Sequence, residues 1–187
     1  MPHSFPPVVG RRSAVLILGS MPGAESLRRR QYYAHPRNQF WRLVGDALGE
    51  ELTELSYRRR LAALKRRGVA LWDTLAECVR PGSLDSRIRR ERPNDVAGLV
   101  RRLGIRAVLL NGGKAKEMFL RHAAAGLPAG VFVAALPSSS PAAAAISYAR
   151  KARVWRQAFT RGGTHQLLNK RHEIRRLKSP DGNLPSA

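Results

Sequence analysis

The stretch 32–41, YYAHPRNQFW, brings an amide, an imidazole and two phenol rings within a few residues of one another. The amide of Asn38 cannot act as a base at neutral pH, but its oxygen can hold and direct a water molecule. Tyr32 and Tyr33 offer flat rings beside it. Asn38 also has a structural alternative, as the N-cap of a following helix. The residue types therefore suit either a site that positions water or a well-capped helix start.

A tight turn precedes this stretch. The apolar run Ala14–Leu18 leads into Gly19–Gly23, GSMPG, whose two glycines and proline favour a turn over continued strand. Pro36 breaks the backbone, and an apolar stripe at helical spacing follows Asn38. Turn, rings and amide can therefore converge on one site.

Short apolar runs alternate with amphipathic stretches along the rest of the chain. The predicted strands are Ala14–Leu18, Val69–Trp72, Ile105–Leu110 and Val131–Ala135. The predicted helices are Asn38–Leu48, Leu55–Arg67, Pro93–Leu103, Lys114–Ala125 and a long helix capped by Ser140 with Pro141 at its first position. A loop is expected over Asp73–Ser86. The alternation predicts an α/β fold, a three-layer sandwich with a central four-stranded parallel sheet flanked by helices.

Such a sheet would bring distant loops together. All parallel strands end at the same edge, and ligands of open α/β sheets bind there. The loops that leave this edge are GSMPG, the loop from Asp73, Asn111-Gly112-Gly113 and Leu136–Ala142 (LPSSSPA). We expect these four loops to line one cleft.

The chain has the size of one domain. Its 187 residues, 43% of them hydrophobic, can bury a single core, which we place in residues 13–161. Residues 1–12 are Pro-rich and basic and predict a flexible N-terminal arm. Residues 162–187 lose the apolar periodicity and predict a basic, disordered tail.

The charge of the chain points to a polyanionic partner. Lysine and arginine total 34 against 13 acidic residues, a formal net charge of +21. This excess is far larger than solubility requires, so nucleic acid is the first candidate. The alternative is a genome that uses arginine freely on solvated faces.

Several classes of site are disfavoured by composition. Cys78 is the single cysteine, which excludes an internal disulfide and a four-cysteine iron–sulfur cluster and favours a reducing compartment. The five histidines lack metal-ligand spacing, so we expect no metal and no cofactor. No stretch approaches the ~20 apolar residues of a membrane span, and we expect a cytoplasmic, nucleoid-associated protein without membrane contact.

Three ordered motifs carry a family resemblance. GSMPG followed by YYAHPRNQFW resembles the uracil-DNA glycosylase superfamily, and Ser20 after the first glycine is typical of its hypoxanthine-DNA (deoxyinosine) glycosylase branch. LPSSSPA is similar to the second signature loop of the mismatch-specific members. The resemblance spans roughly Ala14 to Phe159. It implies a monomeric, monofunctional DNA glycosylase that flips a deaminated base out of DNA and hydrolyses its N-glycosidic bond, with hypoxanthine as the base and uracil or xanthine as further substrates.

The resemblance also implies roles for individual residues. Asn38 of the HPRN motif would position the hydrolytic water as the catalytic residue. Ser20 stands where many members carry an acidic or amide side chain that activates water, and serine replaces it poorly, so Ser20 and its neighbour Met21 are expected to line the base pocket. Tyr33 would stack on the flipped base, with core packing as its alternative.

Two further residues are candidates for reading the base. Asp73 corresponds to a base-recognition asparagine of the superfamily. Its carboxylate could accept the N–H of hypoxanthine N1 or uracil N3 and reject the bare N1 of adenine. Its alternative is a cap for the turn from Thr74 onward. Asn111 would touch the base or simply end its strand.

The remaining candidates would hold the DNA backbone. The loop residues Pro137, Ser138, Ser139 and Ser140 offer hydroxyls for a phosphate, and Lys114 and His35 complete the set, although His35 could instead fasten its loop. Asn111–Lys114, NGGK, lacks the full spacing of a phosphate-binding loop, so a nucleotide-phosphate hydrolase is disfavoured. A non-catalytic nucleic-acid-binding α/β module remains the main alternative.

Overall fold

The computed structural model describes residues 2–79 and 89–163. A four-stranded parallel sheet forms its centre, made of β1 (Val15–Gly19), β2 (Val69–Asp73), β5 (Ala107–Asn111) and β6 (Phe132–Leu136). The strand order across this sheet is β2-β1-β5-β6. Two further strands, β3 (Leu75–Val79) and β4 (Arg89–Pro93), pair antiparallel as a separate two-stranded sheet.

Helices cover both faces of the parallel sheet. They are α1 (Ala24–Arg29), α2 (Phe40–Leu48), α3 (Tyr57–Arg66), α4 (Val96–Leu103), α5 (Gly113–His122) and α6 (Tyr148–Arg161), with a short 3₁₀ helix over Ala124–Gly126. Successive side chains of a strand point to opposite faces. In β1, accordingly, Val15 and Ile17 pack with residues of α2, α3 and α6, while Leu16 and Leu18 pack with residues of α4 and α5. The predicted three-layer α/β sandwich is thereby confirmed.

The start of the last helix differs from the prediction. Ser140 does not cap it, because α6 begins at Tyr148 and its N-cap is Ser147, whose Oγ accepts from the Arg150 N–H. Ser140 instead supports a local turn, with its Oγ accepting from the Ala142 N–H and its carbonyl accepting from the Ala143 N–H. A serine followed by proline suits a turn as well as a helix start, so the local sequence could not decide between them.

Four elements differ from the expected layout: α1, β3, β4 and the start of α4. The predicted loop Asp73–Ser86 contains β3, and the predicted helix from Pro93 begins only at Val96, where Asp95 accepts from the Gly98 N–H at 2.8 Å. Helix α1 was not predicted. The sequences of α1, AESLRR, and β4, RRERP, contain one apolar residue other than alanine and proline between them, so neither shows the periodicity that marks an element.

Residues 3–8 pair with the folded domain, which corrects the prediction of a flexible arm over residues 1–12. Val8 and Leu71 exchange backbone hydrogen bonds of 2.8 and 2.9 Å, and the carbonyl of Phe5 accepts from the Trp72 indole at 3.0 Å. Strand β2 is an edge of the parallel sheet, and an edge strand offers unpaired N–H and C=O groups to an extended segment.

The predicted tail, apart from Gly162 and Gly163, lies outside the described residues. None of the helices in the described ranges is long and apolar enough to cross a membrane.

Candidate active site

A cleft of about 650 Å³ opens at the carboxyl edge of the parallel sheet. Its wall contains residues from all four loops that the sequence placed there: residues 19–26, Asp73, residues 111–114 and residues 138–143, together with Tyr32, Tyr33, His35, Arg37 and Asn38. A volume of this size is typical of small-molecule sites and accommodates a nucleoside. The shared edge of a parallel sheet therefore does collect these loops.

Asn38 lies in the cleft wall directly before α2. Its Oδ1 accepts from the Phe40 N–H at 3.0 Å, while its own N–H donates to the carbonyl of His35 at 2.9 Å. The Phe40 N–H is one of the donors that a helix start leaves without an intrahelical partner. The side chain therefore helps to cap α2, although the backbone N-cap position is Gln39. An amide oxygen has two lone pairs, so this bond orients the oxygen and leaves capacity for a water.

Tyr33 is held in an unusual backbone conformation. Its φ of 53° is left-handed, which is uncommon for a residue other than glycine. One face of its ring stacks on Phe40, with centroids 3.7 Å apart and planes within 10°, and its hydroxyl accepts from Asn111 Nδ2 at 3.1 Å. The predicted alternative of core packing thus holds for one face of the ring. The residue still borders the cleft.

Asp73 ends β2 directly beside Gly19, the last residue of β1. The carboxylate is 3% exposed and also borders the cleft. A Cβ on Gly19 would collide with Asp73 Oδ1 and crowd the Tyr33 hydroxyl, so the glycine makes room for both side chains. Because Gly19 has no side chain, the Asp73 carboxylate and the Tyr33 phenol can both lie beside it at the inner end of the cleft.

Asn111 is used to join three parts of the site. Its Nδ2 donates to Tyr33 Oη and to Ser139 Oγ, and its Oδ1 accepts from the Ser139 N–H at 2.9 Å. Both amide protons and one oxygen lone pair are thus engaged within the protein. The structure gives Asn111 a bracing position, and its predicted contact with a base stays a prediction.

Comparisons with known proteins agree with this arrangement. The sequence profile of the Uracil DNA glycosylase superfamily matches residues 6–160. The chain belongs to the uracil DNA glycosylase superfamily. The family resemblance in the three motifs is thereby confirmed, and the expected partner, DNA with a damaged base, follows from membership at that level.

Individual relatives of this superfamily protein are also similar over most of their length. Hypoxanthine DNA glycosylase of Methanosarcina acetivorans is 44% identical over 116 residues, which are 62% of this chain and 73% of that protein. Hypoxanthine DNA glycosylase of Methanosarcina barkeri is 43% identical over the same shares. The solution NMR structure of a candidate uracil DNA glycosylase from Methanosarcina acetivorans superposes with a TM-score of 0.71 at 39% identity, covering 83% of this chain and 97% of that one.

Ser20 and Met21 form the inner lip of this superfamily cleft. Both are nearly buried, at 7% and 6% exposure, and both border the cleft. Their role in lining a base pocket stays a prediction. The carbonyl of Ser20 accepts from the Leu75 N–H at 3.1 Å, which ties the GSMPG turn to β3. Met21 packs with a small apolar cluster that includes Cys78 and Met118.

The proposed DNA-backbone residues divide into two groups. Lys114, Ser138, Ser139, Ser140 and His35 border the cleft, whereas Pro137 does not, and its carbonyl accepts from the Trp155 indole at 3.0 Å. The Nδ1 of His35 accepts from the Arg37 N–H at 3.2 Å, which fits the loop-fastening role. Lys114 Nζ lies 3.0 Å from Glu117, so its charge is partly compensated.

The sequence did not single out two groups that the structure adds to the wall. Arg37 is exposed at the rim and is in no ion pair among the described residues. Glu25 also lies at the rim, where hydrogen bonds from Arg28 and Arg29 lower its pKa to about 2. The charges at the rim are thus either positive, as at Arg37, or compensated, as at Glu25, which suits a path for DNA phosphates.

Tyr32, also in the cleft wall, stays neutral. Burial, with a smaller contribution from Asp73, raises the pKa of its phenol well above the usual range.

Proposed function

We propose that this protein is a monofunctional DNA glycosylase that excises hypoxanthine from DNA, with uracil and xanthine as further candidates. One observation carries the proposal: Asn38 and Tyr33 border a single cleft of nucleoside size together with Asp73 from a distant part of the chain. The two curated relatives bear the name hypoxanthine DNA glycosylase, which supports the choice of base.

The base must leave the duplex before the reaction. The bond between sugar and base is unreachable inside the stack, so the nucleotide is extruded into the cleft. The hydroxyls of Ser138 and Ser140 and the ammonium of Lys114 stand at the wall where flanking phosphates would pass. The basic excess of the chain supplies the sequence-independent part of binding.

Hydrolysis then depends more on how the attacking water is positioned than on a base that deprotonates it. As the C1′–N bond breaks, its electron pair goes to the base and the sugar becomes oxocarbenium-like, so a weak nucleophile suffices. Asn38 Oδ1, oriented by the Phe40 N–H, directs the water oxygen to C1′. The hydroxyl of the water stays on C1′ to give the abasic site, and its proton passes through solvent to the departing base, which leaves as the neutral free base.

In this proposal the carboxylate of Asp73 selects the base. Hypoxanthine and uracil both present an N–H that a carboxylate can accept, whereas adenine N1 is itself an acceptor and would repel the carboxylate. Asp73 is nearly buried, so water does little to screen the repulsion between its carboxylate and the bare N1 of adenine. Deaminated bases are favoured for this reason.

The test is release of free base from a duplex oligonucleotide with one deoxyinosine. We expect hypoxanthine in the supernatant and an alkali-labile strand at the same position. Matched duplexes with uracil, xanthosine or a T·G mismatch would rank the substrates. Tight binding without release from any of them would favour the non-catalytic module, and phosphate release from nucleotides would favour a phosphohydrolase.

A further inference from the structure

A buried ammonium lies directly behind the loop that carries Asn38. Lys151 stands in the first turns of α6 and is 1% exposed. Its Nζ donates to the side-chain oxygen Oε1 of Gln39 at 3.0 Å. Within the described part of the chain no carboxylate lies in ion-pair distance of it.

Burying this ammonium destabilises the folded state. Moving an ammonium out of water is unfavourable, and a hydrogen bond to one neutral acceptor offsets only part of that cost. Burial accordingly lowers the pKa of Lys151. A methionine of similar length would fill the same space without a charge, so packing alone does not account for a lysine here.

Gln39 links Lys151 to the site through hydrogen bonds of its side chain and its backbone. The N–H of Gln39 donates to the carbonyl of Ser139 at 3.0 Å, and its carbonyl accepts from the Leu43 N–H in the first turn of α2. The preceding residue is Asn38, and the following N–H is the one that Asn38 Oδ1 accepts. The Gln39 peptide therefore joins α2, the Ser139 loop and the catalytic asparagine.

We propose that Lys151 is a positioning residue for base excision, which fixes Asn38 through its hydrogen bond to Gln39. The inference rests on the proposed function. A charge-assisted hydrogen bond in a dry interior is shorter and stronger than a neutral one, so it restricts the Gln39 side chain to one orientation. Lys151 is not part of the cleft wall, so its influence on the site passes through Gln39.

The test separates positioning from ordinary structural support. Lys151→Met removes the charge and keeps the volume, so we expect a urea midpoint equal to or above that of the wild type. The single-turnover rate on the deoxyinosine duplex should fall about tenfold or more, because small misplacements of a reacting group are costly. Affinity for a duplex with a non-hydrolysable nucleotide analogue should stay within twofold. Lys151→Arg, which keeps a cationic donor, should recover most of the rate.

A cycle with Gln39 tests the route of the effect. Gln39→Met should slow excision to a similar extent, and the double variant should be no slower than either single one, since both remove the same link. Lys116→Met, at an exposed position of α5, serves as the control for loss of one lysine.

Two results would overturn the inference. One is excision by Lys151→Met at the wild-type rate, with the double variant Lys151→Met/Gln39→Met, which leaves no unpaired ammonium, deciding in the same way if the single variant fails to fold. The other is a rate loss that follows the loss of folded protein and is not recovered by Lys151→Arg. A wild-type protein that releases no base would instead overturn the proposed function itself, together with this inference.

Discussion

Asn111 and Ser139, 28 residues apart in the chain, exchange two hydrogen bonds of 2.9 Å across the inner end of the cleft. The side-chain amide of Asn111 donates to the hydroxyl and accepts from the backbone N–H, and its second proton goes to the hydroxyl of Tyr33 at 3.1 Å. Ser139 is 1% exposed, so water cannot replace these partners. The pair thus fixes the serine loop and the tyrosine relative to the end of β5.

Replacing Asn111 by alanine should destabilise the protein as a whole. The change leaves the buried N–H of Ser139 without an acceptor, which costs about 1 to 3 kcal/mol in the free energy of unfolding. Urea denaturation would measure the loss, with Ser140→Ala as the control because the Ser140 hydroxyl makes a longer, exposed bond of 3.3 Å. Unchanged stability of the Asn111 variant would refute the bracing role.

Variants of Asn38 should separate capping from catalysis. Asn38→Ala loses the acceptor for the Phe40 N–H and the water ligand, so we expect about 1 kcal/mol less stability and roughly a hundredfold or greater loss of single-turnover base release. Asn38→Ser can still cap, so its stability should be retained while its rate falls similarly. DNA binding should persist in both. Near-wild-type excision by the alanine variant would remove Asn38 from the mechanism.

Asp73→Asn should weaken base recognition. The amide is isosteric but uncharged, and a hydrogen bond to a neutral acceptor is weaker by an amount that corresponds to about tenfold or more in rate. We expect the rate on deoxyinosine to fall more than DNA affinity does, as measured by single-turnover excision and by binding to undamaged duplex. Equal excision by both proteins would leave Asp73 with the alternative role of a turn cap.

Two of the cleft glycines, Gly19 and Gly23, should respond differently to an added methyl group. In Gly19→Ala the Cβ meets Asp73 Oδ1 and the Tyr33 hydroxyl, so we expect a loss of about 1 to 3 kcal/mol in the free energy of unfolding. In Gly23→Ala the Cβ meets nothing within 4 Å, and stability should be nearly unchanged. Equal stability of the two variants would mean that the end of β1 tolerates a side chain.

The reaction should proceed without a covalent link to the enzyme. Lys114 is the lysine of the described cleft wall, and its Nζ is engaged by the carboxylate of Glu117 at 3.0 Å. Borohydride added during turnover should therefore trap no protein–DNA adduct. A trapped adduct that disappears in Lys114→Met would identify a Schiff base and a bifunctional mechanism.

The sequence by itself determined the architecture of the sheet. The strands β1, β2, β5 and β6 each begin and end within two residues of the predicted apolar runs. Buried parallel strands need continuous apolar residues whatever their neighbours are, so the signal is local. The same reasoning placed four loops at one edge of the sheet, because the carboxyl ends of parallel strands all lie at that edge.

Elements of low apolar content were missed for a related reason. Strand β4 reads RRERP, and it forms because β3 offers it a pairing partner. The segment around Val8 is likewise extended because β2 is an edge strand with groups to satisfy. No window of the sequence contains the partner that makes such a segment regular.

Only the tertiary structure decided which polar side chains meet. Asn111 is 78 residues from Tyr33 in the chain, and Lys151 is 112 residues from Gln39. Residue types near the motifs showed that an amide, a phenol and a carboxylate were present, but not that the Asn111 amide would be committed to bracing or that a buried lysine would stand behind Asn38. Hydrogen bonds depend on distances of about 3 Å between atoms, and these distances are set by the packing of the whole sheet and its helices.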